Sequence, residues 1–137
     1  IDIREAVNQV MRYKKHSYNG LYHFIQIFII SNGVDTKYFA NSDREMLHSL
    51  AFFWTDFDNV RLTNLKDFSI AFLARDHIIK MLTRYMILND TDKLLMVMRP
   101  YQITATDRIL NRIEIANNYK KYGSVEGGGY IWHTTGR

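Results

Sequence analysis

The feature that most constrains this chain is an early change of hydrophobic period. Apolar side chains at Ile3, Ala6, Val7, Val10 and Met11 recur at i, i+3 and i+4, which lays a single stripe along a helix over 3–16. The rhythm then changes. Tyr22 to Ile30 is a near-continuous run of aromatic and β-branched residues, the pattern of a strand covered on both faces. Asn32-Gly33 signals a tight turn, and Thr36-Lys37-Tyr38-Phe39 reads as a short returning strand. Helix, buried strand, turn and strand make a mixed α/β opening.

Beyond Ala40 the pattern weakens as far as Asn64. Phe52-Phe53-Trp54-Thr55 fits a strand or an aromatic anchor, and Asp56 to Asn59 is loop-like. Thr63 or Asn64 can cap a helix with Leu65, Phe68, Phe72 and Leu73 on one side. A second helix is predicted from about Asp76, with Ile78, Met81, Leu82, Tyr85 and Met86 inward. Asn89-Asp90-Thr91-Asp92 is polar enough to be a joint. The apolar run Leu94 to Met98 leads to the only proline, Pro100, whose missing N–H suits the first residue of a helix over 101–117. Ile103, Ile109, Leu110, Ile113 and Ala116 fall in register along it. Tyr119 to Gly129 is loop-like by composition, and Tyr130-Ile131-Trp132-His133 fits a strand that runs into the polar turn Thr134-Thr135-Gly136.

Composition excludes several classes. With 47% hydrophobic and 14% aromatic residues the bulk of the chain must pack. Zero cysteines remove disulfide scaffolds, thiolate metal sites and cysteine nucleophiles, and make a reducing, cytoplasmic setting the simplest expectation. The longest apolar run, Phe24 to Ile30, is interrupted by Gln26 and is far shorter than the roughly 20 residues a bilayer requires, so no membrane partner is expected. The start at Ile1-Asp2-Ile3-Arg4 and the stop at Arg137 read as the edges of an excised piece.

Net charge is +4, but positive and negative residues are nearly balanced along the chain. The densest basic cluster is Arg12-Tyr13-Lys14-Lys15-His16, with aromatic and cationic residues interleaved as a phosphate backbone would suit. Charge alone favours the plainer alternative, a solvated helix end where cations meet the negative pole of the dipole. Glu5, Gln9 and Tyr13 are spaced four apart and project from one helix surface, beside Arg12 and His16. Asp56 with Asp58, and Asp90 with Asp92, alternate in turn-like stretches, and the five histidines lack metal-ligand spacing.

Met98-Arg99-Pro100-Tyr101-Gln102 followed by Gly128-Gly129-Tyr130-Ile131-Trp132-His133-Thr134-Thr135-Gly136 resembles the entry to the motor of the R subunit of type I restriction enzymes, a superfamily 2 helicase-like translocase. In that family the second segment runs into Ser-Gly-Lys-Thr and completes a phosphate loop; here Arg137 stands at the serine position. Ala6 to His16, Ile29 to Val34, Tyr38-Phe39, Phe53-Trp54 and Arg84-Tyr85-Met86 are similar to the same subunit in the same order.

The resemblance implies an α/β fold in three parts. Residues 1–40 would be the end of a PD-(D/E)xK nuclease-type sheet, 41–92 a helical connector, and 93–137 the start of a RecA-like P-loop domain with an incomplete Walker A motif. Gln9 and Tyr13 match the family's Gln-x-x-x-Tyr helix, which supports nuclease geometry. Arg99, Tyr101, Gln102, Thr134, Thr135 and Gly136 would belong to nucleotide binding, with Gln102 reading adenine. Arg12, Lys14 and Lys15 would contact DNA. The implied activity is ATP-driven translocation of double-stranded DNA coupled to cleavage, with ATP and Mg2+ as cofactors of the intact subunit and methylation and specificity subunits as partners. No catalytic residue or metal ligand is expected within this chain, because the metal-binding Asp and Glu-x-Lys of the family, and its Gly-Lys-Thr, are not in the sequence. The piece alone is therefore expected to be inert and to bind neither cofactor tightly. Two alternatives come from other classes: a non-catalytic DNA- or protein-interaction module using the Arg12–His16 face, and a RecA-type ATPase without nuclease function.

Overall fold

A computed structural model describes residues 2–42 and 48–132. They form a mixed α/β arrangement of four helices and three small antiparallel two-stranded sheets. The chain divides into two compact units, residues 1–100 and residues 101–137.

The first unit opens with α1 (Ile3–His16), where the sequence places it. Asp2 caps it by accepting from the Arg4 N–H at 2.9 Å, and Lys14, Lys15 and His16 sit in the last turn, where positive charge is favoured. The helix buries Ile3 and Val7 against Phe28, Ile30, Phe39 and Ala51, with Ala6, Val10 and Met11 at the margin. These residues come from the hairpin of β1 (Ile27–Ser31) and β2 (Thr36–Ala40), registered from Ile27 opposite Ala40 to Ser31 opposite Thr36. Asn32 makes the turn by accepting from the N–H groups of Val34 and Asp35 at 3.0 and 2.7 Å, and Gly33 takes a left-handed φ of +92° that a side chain would resist.

Two features depart from the sequence reading. The aromatic run starting at Tyr22 is not all strand: Gly20–Phe24 is a 3-10 turn that leaves Leu21, Tyr22 and Phe24 exposed, and pairing starts only at Ile27. Double coverage belongs to β2 rather than β1. In β1 Phe28 and Ile30 are buried while Ile29 is open, the alternation of a one-sided strand. In β2, Phe39 faces the α1 core and Tyr38 is fully buried within a different group of rings.

That second core has aromatic packing throughout. Tyr38 N–H and C=O both pair with Phe52 at 2.9 Å, which places Phe52 and Trp54 beside β2. β3 (Trp54–Thr55) and β4 (Arg61–Leu62) close over a turn in which Asp56 accepts from the Asp58 and Val60 N–H groups. α2 (Leu65–Phe72), capped by Asn64 through the Asp67 N–H at 2.9 Å, delivers Phe68 and Phe72. Phe72 meets the rings of Tyr38 and Phe68 at 4.8 Å each and of Trp54 at 5.2 Å. α3 (Arg75–Arg84) buries Met81, and Tyr85 follows, buried, at its end.

Residues from Met86 leave the predicted helix and form a hairpin of β5 (Met86–Asn89) and β6 (Leu94–Val97). Its turn is the polar joint at Asn89–Asp92, with Lys93 at φ +52°. The stretch 41–92 thus holds α2 and α3 together with β3, β4 and β5.

The second unit is α4 (Pro100–Asn118) and the turns that follow. The helix is where the proline and the apolar register predict it. Ile103 is buried, whereas Ile109, Leu110 and Ile113 are each 40–50% exposed. After it, Lys121 pairs with Glu126, Arg112 reaches the Glu126 carbonyl, and Gly127 lies where a Cβ would meet the Lys121 carbonyl oxygen at 2.2 Å, so only glycine fits. Tyr130 to Trp132 form no strand: no described neighbour pairs with them, and Tyr130 and Trp132 are exposed. His133, Thr134, Thr135, Gly136 and Arg137 lie outside the described residues, and with them the turn that the phosphate-loop expectation rests on.

Candidate functional site

The polar face of α1 is the best-formed cluster of expected site residues. Residues four apart on a helix stand one turn above each other. The Gln9 side-chain amide donates to the Tyr13 phenol oxygen at 2.7 Å. Both are exposed, Tyr13 at 47%, while the opposite stripe of the helix is anchored by Ile3 and Val7 in the core. The pair is pre-oriented. With the phenol oxygen accepting from Gln9, the pair retains the phenol proton as a donor and the Gln9 carbonyl oxygen as an acceptor. Such a neutral pair can orient a phosphate or a bound water but supplies neither charge nor a nucleophile.

The basic cluster beside it is less uniform than its sequence. Arg12 and Lys15 are exposed, but the Lys14 ammonium donates to the Ser42 carbonyl and is partly buried. Lys14 therefore ties α1 to the chain after β2, a structural duty that spacing on the helix does not reveal.

The second group lies where β6 gives way to α4. Met98 N–H donates to the Tyr85 carbonyl at 3.0 Å, and the Met98 carbonyl accepts from the Tyr38 hydroxyl at 2.9 Å. The Arg99 guanidinium sits 4.8 Å from the centre of the Phe52 ring. Burial pushes the Tyr38 phenol well above the usual tyrosine range, and the positive charge of Arg99 pulls weakly the other way. Tyr101 and Gln102 occupy the first turn of α4, with Gln102 exposed. An exposed primary amide fits an adenine edge, which offers one donor and one acceptor.

Phe53, adjacent to Phe52 and on the opposite side of the strand path, has Lys37 at 4.5 Å and Arg61 at 5.4 Å from its ring centre. Neither cation carries a local signal in the sequence, where only Phe52-Phe53 stands out as part of a candidate strand or aromatic anchor. Among the described residues no three His, Asp or Glu side chains gather as a metal would require. The described side chains therefore offer Mg2+ no carboxylate cluster of their own. Asp56 and Asp90 are engaged in their own turns. No described helix is long and apolar enough to cross a membrane.

The class of protein follows from the match at the start of the chain. Residues 1–46, which include all of α1 and the first hairpin, match the family described as Type I restriction enzyme R protein N terminus. The rest of the chain agrees: over 137 residues, 99% of its length, it is 51% identical to the type I restriction enzyme SsaAORF53P endonuclease subunit of Staphylococcus saprophyticus. Identity is 48% over the same span to the SauCOLORF180P endonuclease subunit of Staphylococcus aureus. To the EcoprrI endonuclease subunit of Escherichia coli it is 43% over 119 residues, 83% of this chain and 38% of that protein. The chain is thus similar to type I restriction enzyme endonuclease subunits along essentially its whole length. It spans 14% of the length of the two staphylococcal relatives.

Proposed function

We propose that this chain serves within a type I restriction endonuclease R subunit that couples ATP-driven translocation of double-stranded DNA to its cleavage. In this role α1 lines the nuclease centre, with Gln9 and Tyr13 orienting the phosphate or attacking water and Arg12 and Lys15 meeting the DNA backbone. Residues 93–137 open the RecA-like motor, with Gln102 on the adenine of ATP. ATP and Mg2+ would be cofactors of the intact subunit, held mainly by residues outside this segment. The methylation and specificity subunits of the complex provide sequence recognition. By itself the segment is inert, because neither the acidic metal ligands nor the phosphate-binding lysine is in its sequence.

The observation that carries the reading is the Gln9–Tyr13 hydrogen bond on an exposed helix face within the span matched to the R protein family. In a full-length endonuclease subunit carrying this segment, Gln9→Ala is expected to lower duplex cleavage at least about tenfold, the scale of lost positioning, while ATP hydrolysis on the same DNA stays within twofold. Cleavage at the parent rate would refute the nuclease role of this face. An interaction module instead predicts that cleavage and hydrolysis fall together with complex assembly.

A further inference from the structure

Within the nucleotide-binding role proposed for Arg99–Gln102, on which this inference rests, we propose that Tyr38 is a positioning residue that fixes where that element starts. Tyr38 reaches the two residues preceding Pro100 by separate routes. Its hydroxyl donates to the Met98 carbonyl at 2.9 Å, across sixty positions of sequence. Its backbone holds Phe52 through two 2.9 Å hydrogen bonds, and the Phe52 ring in turn lies under the Arg99 guanidinium.

The tyrosine is well suited to this. Its ring is fully buried between Phe52, Trp54 and Phe72, so its two side-chain torsions are set by packing and the hydroxyl has one position. Phenylalanine would fill the same space. What the hydroxyl adds is the Met98 contact, and burying a hydroxyl is unfavourable unless it is so paired. Met98 is held on its other side as well, through its N–H on Tyr85. From there few soft torsions remain before the helix: Pro100 locks its own φ, and the residue preceding a proline is confined to extended conformations. An anchor at the Met98 carbonyl therefore fixes where Arg99 and Pro100 leave β6, and a loosened anchor lets that start drift.

The same strand also braces the other site. Phe39, next to Tyr38, packs under α1 with Ile3 and Val7, the helix that carries Gln9 and Tyr13. Consecutive residues of a strand face opposite ways, so one step along β2 joins the support of the nuclease helix to the support of the nucleotide element.

The test is steady-state hydrolysis of ATP and of GTP on duplex DNA by a full-length subunit carrying Tyr38→Phe, with Gln102→Ala and Phe52→Leu in parallel. For Tyr38→Phe the KM for ATP is expected to rise about three- to tenfold, the scale of one lost neutral hydrogen bond. The preference for ATP over GTP should shrink and kcat change less than twofold. A purely structural role would lower the thermal midpoint and leave the ATP/GTP ratio untouched. Phe52→Leu should move the ratio in the same direction. If Gln102→Ala abolishes the preference while Tyr38→Phe and Phe52→Leu leave it unchanged, the positioning role of Tyr38 is overturned and the nucleotide role of Gln102 stands. If Gln102→Ala leaves it unchanged, the nucleotide reading itself falls, and the inference with it.

Discussion

Replacing Phe72 by alanine should be among the most damaging single changes to the first unit. The ring is fully buried and meets Tyr38, Trp54, Phe68 and His77 at centroid distances of 4.8, 5.2, 4.8 and 5.4 Å. Truncating a buried phenylalanine costs about 3–5 kcal/mol, transfer and residual cavity together. Four ring partners keep this site off the low end of that range, at about 4 kcal/mol, because ring geometry adds to burial. A domain holds only about 5–15 kcal/mol in reserve, so the variant should be marginal yet measurable. In urea, with a slope of about 2 kcal/mol per molar, the midpoint should fall by about 2 M. Trp54 is the natural reporter, since it is buried against Phe72, whereas the other tryptophan, Trp132, is exposed and contributes a constant background. Phe57→Ala is the control: that ring is 89% exposed on the β3–β4 turn, and its loss should move the midpoint by no more than about 0.3 M, given surface effects within about 0.5 kcal/mol. Equal midpoints for the two variants would show that the aromatic group around Tyr38 is not the core of this unit.

Two further outcomes are expected. Because the folded state holds the Tyr38 phenol above its unfolded value near 10, its contribution is fully present below about pH 10 and is lost as pH rises beyond it. Thermal midpoints should decline more steeply above about pH 10 in the parent than in Tyr38→Phe, and parallel declines would remove Tyr38 as the cause. Residues 41–98 are rich in large apolar side chains and lack Gly/Ser-rich composition, so if they act as a stiff coupler between the proposed nuclease and motor, limited trypsin digestion of a full-length subunit should spare them; rapid cutting at Arg61, Lys80 and Arg84 alike would contradict that.

Local chemistry was the readable part of the sequence. α1, the Asn32-Gly33 turn, the Asn64 cap and the proline start of α4 each follow from a few neighbouring residues. The misreadings share a cause. Tyr22 and Phe24 have strand-like side chains, but the 3-10 turn there is set by how the chain leaves α1, with Tyr18 stacking on both Tyr22 and Phe28. Met86 to Asn89 continues the apolar spacing of α3, and only its pairing with β6 makes it a strand. The Gln9–Tyr13 pair was legible because helix spacing alone brings it together. The Tyr38–Met98–Arg99 junction was not, since no local pattern announces a hydroxyl that finds a carbonyl sixty residues away, just past β6.

All three ribbons pair segments that are near neighbours in the chain: β1 with β2, β3 with β4, β5 with β6. Each can therefore zip up as soon as its own turn has formed, on the microsecond scale typical of isolated hairpins, without waiting for distant residues. On the ribosome, where residues emerge many milliseconds apart, the ribbons would assemble in order of synthesis. The tie from Tyr38 to Met98 would then be the late step that draws the first ribbon onto the last.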